Sequence, residues 1–210
     1  MNRIVVVKVG GSLLDWVPLP ARLAVFLASL GKVRPVLIVG GGPMADELRP
    51  LDRLHDLGES KSHALALRIL DVTAWLLADL LPESCVVTRL DDLALAWKTG
   101  LRPVLAPRLV LDADDRHARD EALPHSWNVT TDSIAARVAT LLGDAELILL
   151  KSAPAPPDLA AAVALDRLDS HFLTVSRPLS RVTYVAFRQE PPVCVELVTR
   201  LTEARESGGR

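Results

Sequence analysis

The sequence predicts an α/β fold: a three-layer αβα sandwich around a mainly parallel central sheet. Three observations predict it. Short runs rich in valine and isoleucine alternate with longer stretches that carry helix start and stop residues. The runs at 3–9 and 35–39 are apolar almost throughout instead of alternating, as strands buried on both faces are. Both runs lead directly into glycines, Gly10-Gly11 and Gly40-Gly41-Gly42. A buried strand, then glycines, then a helix is how α/β sheets present backbone N–H groups to anions.

The elements follow in order. Ile4-Val5-Val6-Val7 is the heart of the first strand, and a helix over 19–31 has Pro18 and Pro20 near its start and Gly31 at its end. The strand at 35–39 precedes a helix that starts after Gly42, with Pro43 in its first turn. Residues 60–81 predict the longest helix, apolar almost all round and so expected to be buried, with Pro82 ending it. Strands at 85–88 and 103–106 flank a helix at 91–98. The stretch 107–126 carries Asp112, Asp114, Asp115 and His117 and reads as an irregular surface excursion. Thr131-Asp132-Ser133 opens a helix that Gly143 ends. Glu146-Leu147-Ile148-Leu149-Leu150 is a strand ending at Lys151, and Ala153-Pro154-Ala155-Pro156-Pro157 a stiff connector. A strand at 182–187 and a helix at 193–204 complete the pattern, before a frayed tail at 206–210.

Composition narrows the function. Half of the 210 residues are hydrophobic but only 4% are aromatic, so leucine, valine and alanine must fill a sizeable core. The formal charge of −2 gives no basic excess for a nucleic-acid partner. No run of about 18 apolar residues is present to span a membrane, and no charged-then-apolar leader precedes the first strand; a cytoplasmic location is expected. Cys85 and Cys194 lack metal-ligand spacing and sit in apolar sequence, so both are expected to be reduced core thiols.

The candidate chemistry is phosphate chemistry. The chain has neither G-x-x-x-x-G-K-[ST] nor G-x-G-x-x-G, which removes the P-loop and weakens a dinucleotide reading. Lys8 instead lies at the end of the first strand, two residues before Gly10-Gly11, where its ammonium can cover phosphates held by the glycine amides. Asp132 reads either as an ordinary first-turn acid or as a functional carboxylate, and Lys151 by itself reads as a strand-end lysine. Asp46, Arg49 and Arg53 fall on one face of the helix after Gly42, with His55 close by. Such a face could read a charged acceptor or simply be a solvated, salt-bridged one.

Four segments together resemble the amino acid kinase superfamily, which includes acetylglutamate, carbamate, aspartate and uridylate kinases. They are Lys8-Val9-Gly10-Gly11-Ser12, Val39-Gly40-Gly41-Gly42, Asn128-Val129-Thr130-Thr131-Asp132-Ser133-Ile134-Ala135-Ala136 and Leu149-Leu150-Lys151-Ser152. They occur in the family's order and cover roughly residues 3–151. The resemblance implies the carbamate-kinase-like fold over 1–210, with an acceptor-binding half at about 1–125 and a shortened nucleotide-binding half at about 126–205. It implies ATP-dependent phosphoryl transfer, with Mg²⁺ bound to the ATP, and a homo-oligomer. Carried over residue by residue, Lys8, Asp132 and Lys151 are the catalytic residues. Gly10, Gly11, Ser12, Gly40, Gly41, Gly42, Thr131 and Ser152 are the phosphate and nucleotide contacts, and Asp46, Arg49, Arg53, His55, Asn128 and Thr130 the acceptor contacts.

The stretch from Gly42 through Asp46, Arg49, Asp52 and His55 to Gly58, Glu59 and His63 looks like the small kinases of methanofuran-type cofactor synthesis. Those phosphorylate an aminomethylfuran-methyl phosphate. An arginine for such an acceptor's phosphate and a carboxylate for its ammonium would suit that substrate. Two departures stand out: the chain has the proline-rich 153–157 where relatives often show D-G-[VI], and no G-G-M-x-x-K segment. Rival readings are another acceptor on the same scaffold (isopentenyl phosphate, a nucleoside monophosphate, an amino-acid carboxylate) and a non-catalytic binding or storage protein.

Overall fold

A computed structural model describes residues 3–118, 122–143 and 145–199. Seven strands, β1 (Ile4–Val9), β2 (Arg34–Val39), β3 (Ser84–Val87), β4 (Arg102–Leu105), β5 (Glu146–Lys151), β6 (Arg181–Ala186) and β7 (Val193–Thr199), form one sheet in the order β3-β4-β2-β1-β5-β6-β7. All neighbours pair in parallel except β6 and β7. Helices cover both faces: α1 (Leu19–Ser29), α2 (Gly42–His55), α3 (Glu59–Leu80), α4 (Leu93–Lys98), α5 (Arg108–Ala118), α6 (Thr131–Leu141), α7 (Leu159–Ala164) and α8 (Phe172–Val175). This is the α/β sandwich that the alternation predicts.

Strand parity explains the continuous apolar runs and places the site. Val5, Val7 and Val9 of β1 pack with Leu19, Leu23 and Leu27 of α1 and with Ala74 and Leu77 of α3. Val6, on the other face, packs with Ala135, Val138 and Ala139 of α6. β5 divides the same way, with Leu147 and Leu149 on the α6 side and Ile148 and Leu150 on the α1 side. Since side chains alternate, Lys8 and Lys151 project from the α6 face of adjacent strands. Burying each fully apolar side chain contributes about 1.5–3 kcal/mol, so this parity is strongly held.

Four expectations are corrected. The expected helix at 193–204 is strand β7 over its described part, and residues 200–204 lie outside the described residues. Val193 and Val195 lie in an alternating pattern, and β6 offers an open edge that pairs Ala186 with Val193 and Tyr184 with Val195. Long-range pairing overrides local propensity there. The expected surface excursion at 107–126 instead contains α5, while residues 119–121 lie outside the described residues. Asp114 is buried and accepts two hydrogen bonds from Arg137 of α6, at 2.7 and 2.8 Å. An acid that reads as polar surface is therefore a buried counter-ion joining two helices. The helix at 60–81 is not covered all round, since Val72 is 53% and Trp75 60% exposed. Both cysteines are free, but Cys85 is only partly buried and Cys194 is exposed, so neither is a fully buried core thiol. The tail at 206–210 lies outside the described residues.

Candidate active site

The site starts from the backbone at the carboxyl ends of β1, β2 and β5. Gly10 N–H donates to the Leu150 carbonyl at 2.8 Å, and Gly40 N–H to the Val9 carbonyl at 2.9 Å, so both turns are hooked to neighbouring strands. The turns then meet each other. A Cβ on Gly11 would lie 2.3 Å from the Gly42 nitrogen, and Gly42 has φ +55° with its own Cβ position 2.6 Å from the Gly11 carbonyl oxygen. Only glycine permits that approach. The consequence is that the first N–H groups of the short Gly11–Leu13 turn and of α2, which have no intrahelical acceptor, converge along one cleft.

Over this floor lies a buried charge cluster. Lys8 Nζ is 2.8 Å from Asp132 Oδ1, and Lys151 Nζ donates to Asp132 Oδ2 at 2.6 Å. The Lys8 contact is an ion pair without good hydrogen-bond alignment at Oδ1. Burial pushes the Lys8 ammonium down to about 8, with Asp132 opposing the shift and Lys151 adding to it. Burial alone would raise the Asp132 carboxyl, but the two lysines overcome it and hold it down to about 2. The cluster thus sets two lysines against one carboxylate, with Asp169 also close enough to act on the Lys8 charge.

Asp132 stands in the first turn of α6, where Thr130 caps the helix by accepting from Asp132 N–H at 3.3 Å. Asp169 secures this end. Its carboxylate accepts from the hydroxyls of Thr130 and Ser133, both at 2.6 Å, and from Phe172 N–H at 3.1 Å. The segment before α8 is thereby clamped to the helix that carries Asp132. Across the cleft, the hydroxyls of Ser12 and Ser152 are 2.7 Å apart.

The cleft has a volume of about 610 Å³, and its wall includes Lys8, Gly10, Gly11, Ser12, Gly40, Gly41, Gly42, Asp46, Asn128, Thr130, Thr131, Asp132, Lys151 and Ser152. Of the α2 candidates, only Asp46 lines it. Arg49 lines an adjoining recess of about 90 Å³, its guanidinium stacked 4.5 Å over the Trp127 ring. Trp127 Nε1 donates in turn to Asp52 Oδ2 at 2.7 Å, and that bond helps hold the Asp52 carboxyl below its usual range. Arg53 and His55 are exposed and line neither space. The expected single acceptor face of α2 is thus divided, because the helix turns its later residues away from the sheet edge.

Trp127, Asp169 and Arg167 also border the cleft and escape a sequence reading. Trp127 had a usable signal, as a rare aromatic beside Asn128 in a chain with four tryptophans. The contact of Asp169 with α6 had none, since the hydroxyls it holds lie 36–39 residues earlier in the chain.

An open, largely parallel sheet whose central strands end in paired glycine turns under two lysines defines an α/β protein of the phosphate-handling class. Residues 3–155 match the amino acid kinase family, and the chain belongs to that family. Over 145 residues it is 29% identical to [5-(aminomethyl)furan-3-yl]methyl phosphate kinase of Methanocaldococcus jannaschii, a match that spans 69% of this chain and 63% of that relative, less than two thirds of its length. Uridylate kinase from Archaeoglobus fulgidus superposes with a TM-score of 0.57 at 17% identity, over 87% of this chain and 89% of that one. Aspartate kinase from Synechocystis superposes with a TM-score of 0.66 at 17% identity, over 96% of this chain and 40% of that one. The two structures share the fold. Among the described residues no helix is long and apolar enough to cross a membrane.

Proposed function

We propose that this protein is an ATP-dependent kinase that transfers the γ-phosphoryl group to a small phosphate monoester, with [5-(aminomethyl)furan-3-yl]methyl phosphate as the preferred acceptor. The convergence of Lys8 and Lys151 on Asp132 above the two glycine turns carries the reading. Phosphoryl transfer asks mainly for in-line positioning and neutralisation of charge on the equatorial oxygens. The glycine-turn amides supply fixed donors, and the lysines supply charge in a buried setting where it is weakly screened. Asp132 holds the ammoniums apart and orients them without itself contacting phosphate. Mg²⁺ would arrive on the ATP phosphates and neutralise part of their charge.

The M. jannaschii relative supports the acceptor. Asp46 in the cleft suits the ammonium of such a molecule, and Arg49, which lines the adjoining recess, its phosphate. A second reading has one observation in its favour. The recess is walled largely by Ala45, Ala66, Leu67, Leu70, Val129 and Ile134, which suits a compact apolar body such as that of isopentenyl phosphate. On either reading the protein is a cytoplasmic homo-oligomer.

The test is ³¹P NMR of the protein with Mg-ATP and a panel of phosphorylated acceptors. A new diphosphate doublet with the aminomethylfuran phosphate alone supports the proposal. A doublet only with isopentenyl phosphate or a nucleoside monophosphate overturns the acceptor and keeps the kinase. Tight ATP binding with no transfer to any acceptor overturns the kinase reading in favour of a binding protein.

A further inference from the structure

A second large cavity lies at the opposite end of the sheet from the glycine turns. It has a volume of about 710 Å³ and opens between the C-terminal ends of α1 and α4 and the starts of β2 and β4. Its origin is legible in the chain. Both strands begin on Arg-Pro, as Arg34-Pro35 and Arg102-Pro103. A proline brings no N–H to a ladder. Accordingly β2 and β4 are in register only at Leu37 and Val104, whereas β3 and β4 pair over four residues. The seam between β2 and β4 is left unzipped at its start, and Gly31 and Gly100 add no side chain to fill it.

The same two dipeptides supply charge from both faces of the sheet. By strand parity Arg34 shares the face of Val36, and its guanidinium lies 5.4 Å over the Trp97 ring of α4. Trp97 is itself held by its Nε1, which donates to the Pro35 carbonyl at 2.9 Å. Arg102 shares the opposite face with Val104, donates to the Pro82 carbonyl at 2.8 Å and pairs with Glu83 at 3.2 Å. Lys98 adds a third cation, and no aspartate or glutamate lines the cavity. Among the described residues neither Arg34 nor Lys98 is ion-paired. Cations near a helix end often answer the helix's own carbonyls, but here the chain satisfies those itself. The Ala28 carbonyl accepts from Gly31 N–H at 3.4 Å, the Trp97 carbonyl from Gly100 N–H at 3.2 Å, and the Ala96 carbonyl from Leu101 N–H at 2.9 Å.

We propose that this cavity binds a phosphorylated small molecule carrying at least two negative charges, as an effector separate from the reactants. Two guanidiniums approach from opposite faces and one ammonium from α4, so the wall matches charge spread over two groups better than charge held on one. Val33, Ala94 and Leu101 give the cavity an apolar side for an organic body. The six residues of β2 separate it from Gly40 by about 20 Å, so a small molecule bound here does not reach the cleft over the glycine turns.

Isothermal titration calorimetry with inorganic pyrophosphate tests this, with circular dichroism as the fold control. Ala94→Glu puts a carboxylate at an exposed position of α4, four residues before Lys98, where it pairs with that ammonium and removes no existing contact. It should weaken pyrophosphate binding at this cavity by about tenfold or more, and Arg34→Ala should do the same. The binding lost in Ala94→Glu should persist in Lys8→Ala, which alters the cleft alone. Titrating the same variants with ADP distinguishes the two sources of a diphosphate. ADP that binds the Ala94-sensitive site more tightly than pyrophosphate supports an organic diphosphate, and ADP that binds it more weakly supports pyrophosphate itself. Pyrophosphate binding that is lost in Lys8→Ala and untouched by Ala94→Glu, or no binding of pyrophosphate at all, overturns the proposal.

Discussion

The cradle formed by the glycine turns and the proposed acceptor side on α2 differ in what holds them. In the cradle, every group is fixed by something larger than itself. Lys8 and Lys151 are set by the pleat of adjacent buried strands, and Asp132 by a capped helix that Asp169 clamps. The turns are set by backbone packed on backbone. On α2, side chains on one helix face meet different fates: Asp46 enters the cleft, Arg49 stacks on Trp127, and Arg53 and His55 stay in solvent. Placement by main chain is rigid, and placement by helix periodicity holds for only about two turns before the surface curves away. Catalytic precision should therefore reside in the cradle and acceptor choice in a few residues around Trp127.

The sharpest way to break this contrast is Lys8→Ala. Losing one preorganised electrostatic contact to the transferring phosphoryl group should lower kcat by about 10²–10³, with an unchanged circular dichroism spectrum. Near-normal turnover would remove Lys8 from the chemistry.

Asp132→Asn probes the same cluster through stability. It leaves the buried Lys8 ammonium and the partly buried Lys151 ammonium without their carboxylate, and breaking a buried pair costs about 3–5 kcal/mol. Urea denaturation should show a loss of that size, and a variant as stable as wild type would show that the cluster is looser than its distances of 2.6 and 2.8 Å.

The pH dependence has opposite signs for activity and stability. The folded Lys8 sits at about 8, below its ordinary 10.5. The unfolded chain thus holds that proton more tightly, so the burial cost is fully present below about pH 8 and fades as the pH rises toward 10.5. Over the same rise kcat/KM should fall through an apparent pKa near 8, because the free enzyme loses the charge that faces phosphate. Lys8→Ala should lack this limb. Asp132, held at about 2 against its ordinary 3.8, contributes stability above 3.8 that is lost as the pH falls toward 2.

On the α2 side the effects should be smaller and selective. Arg49→Ala should raise the acceptor KM by about tenfold or more, from the loss of a charge-assisted hydrogen bond of about 1.5–3 kcal/mol, and leave the ATP KM alone. Equal small changes in both would return Arg49 to the solvated face. The smallest effect belongs to Arg53→Ala, which should change both KM values by less than about twofold, as exposed charges generally do. A large acceptor effect there would mean that α2 reads its ligand as one continuous face after all.

Much of this was written in local sequence. Valine-rich runs ending in glycines specify β1, β2 and their turns, because a doubly buried strand and a tight backbone approach each demand one kind of residue. Lys8 was legible for the same reason: its neighbours left no doubt about where the strand ends. Thr131-Asp132-Ser133 was legible as a helix start, since helix-start chemistry is short-range, whereas Thr130, expected to contact the acceptor, is the residue that caps it.

What only the tertiary structure decided depended on partners far along the chain. β7 exists because β6 leaves an edge to pair with. Asp114 is buried because Arg137 arrives to meet it at 2.7 Å. Asp169 matters because the sheet order β1-β5-β6 folds its loop onto α6, and Arg49 is separated from Arg53 by the position of Trp127. Residue type and spacing determine which elements form and which charges are available to each. Which charges meet is a property of the assembled tertiary structure, because the energy of a buried pair exists only once both partners have left water together.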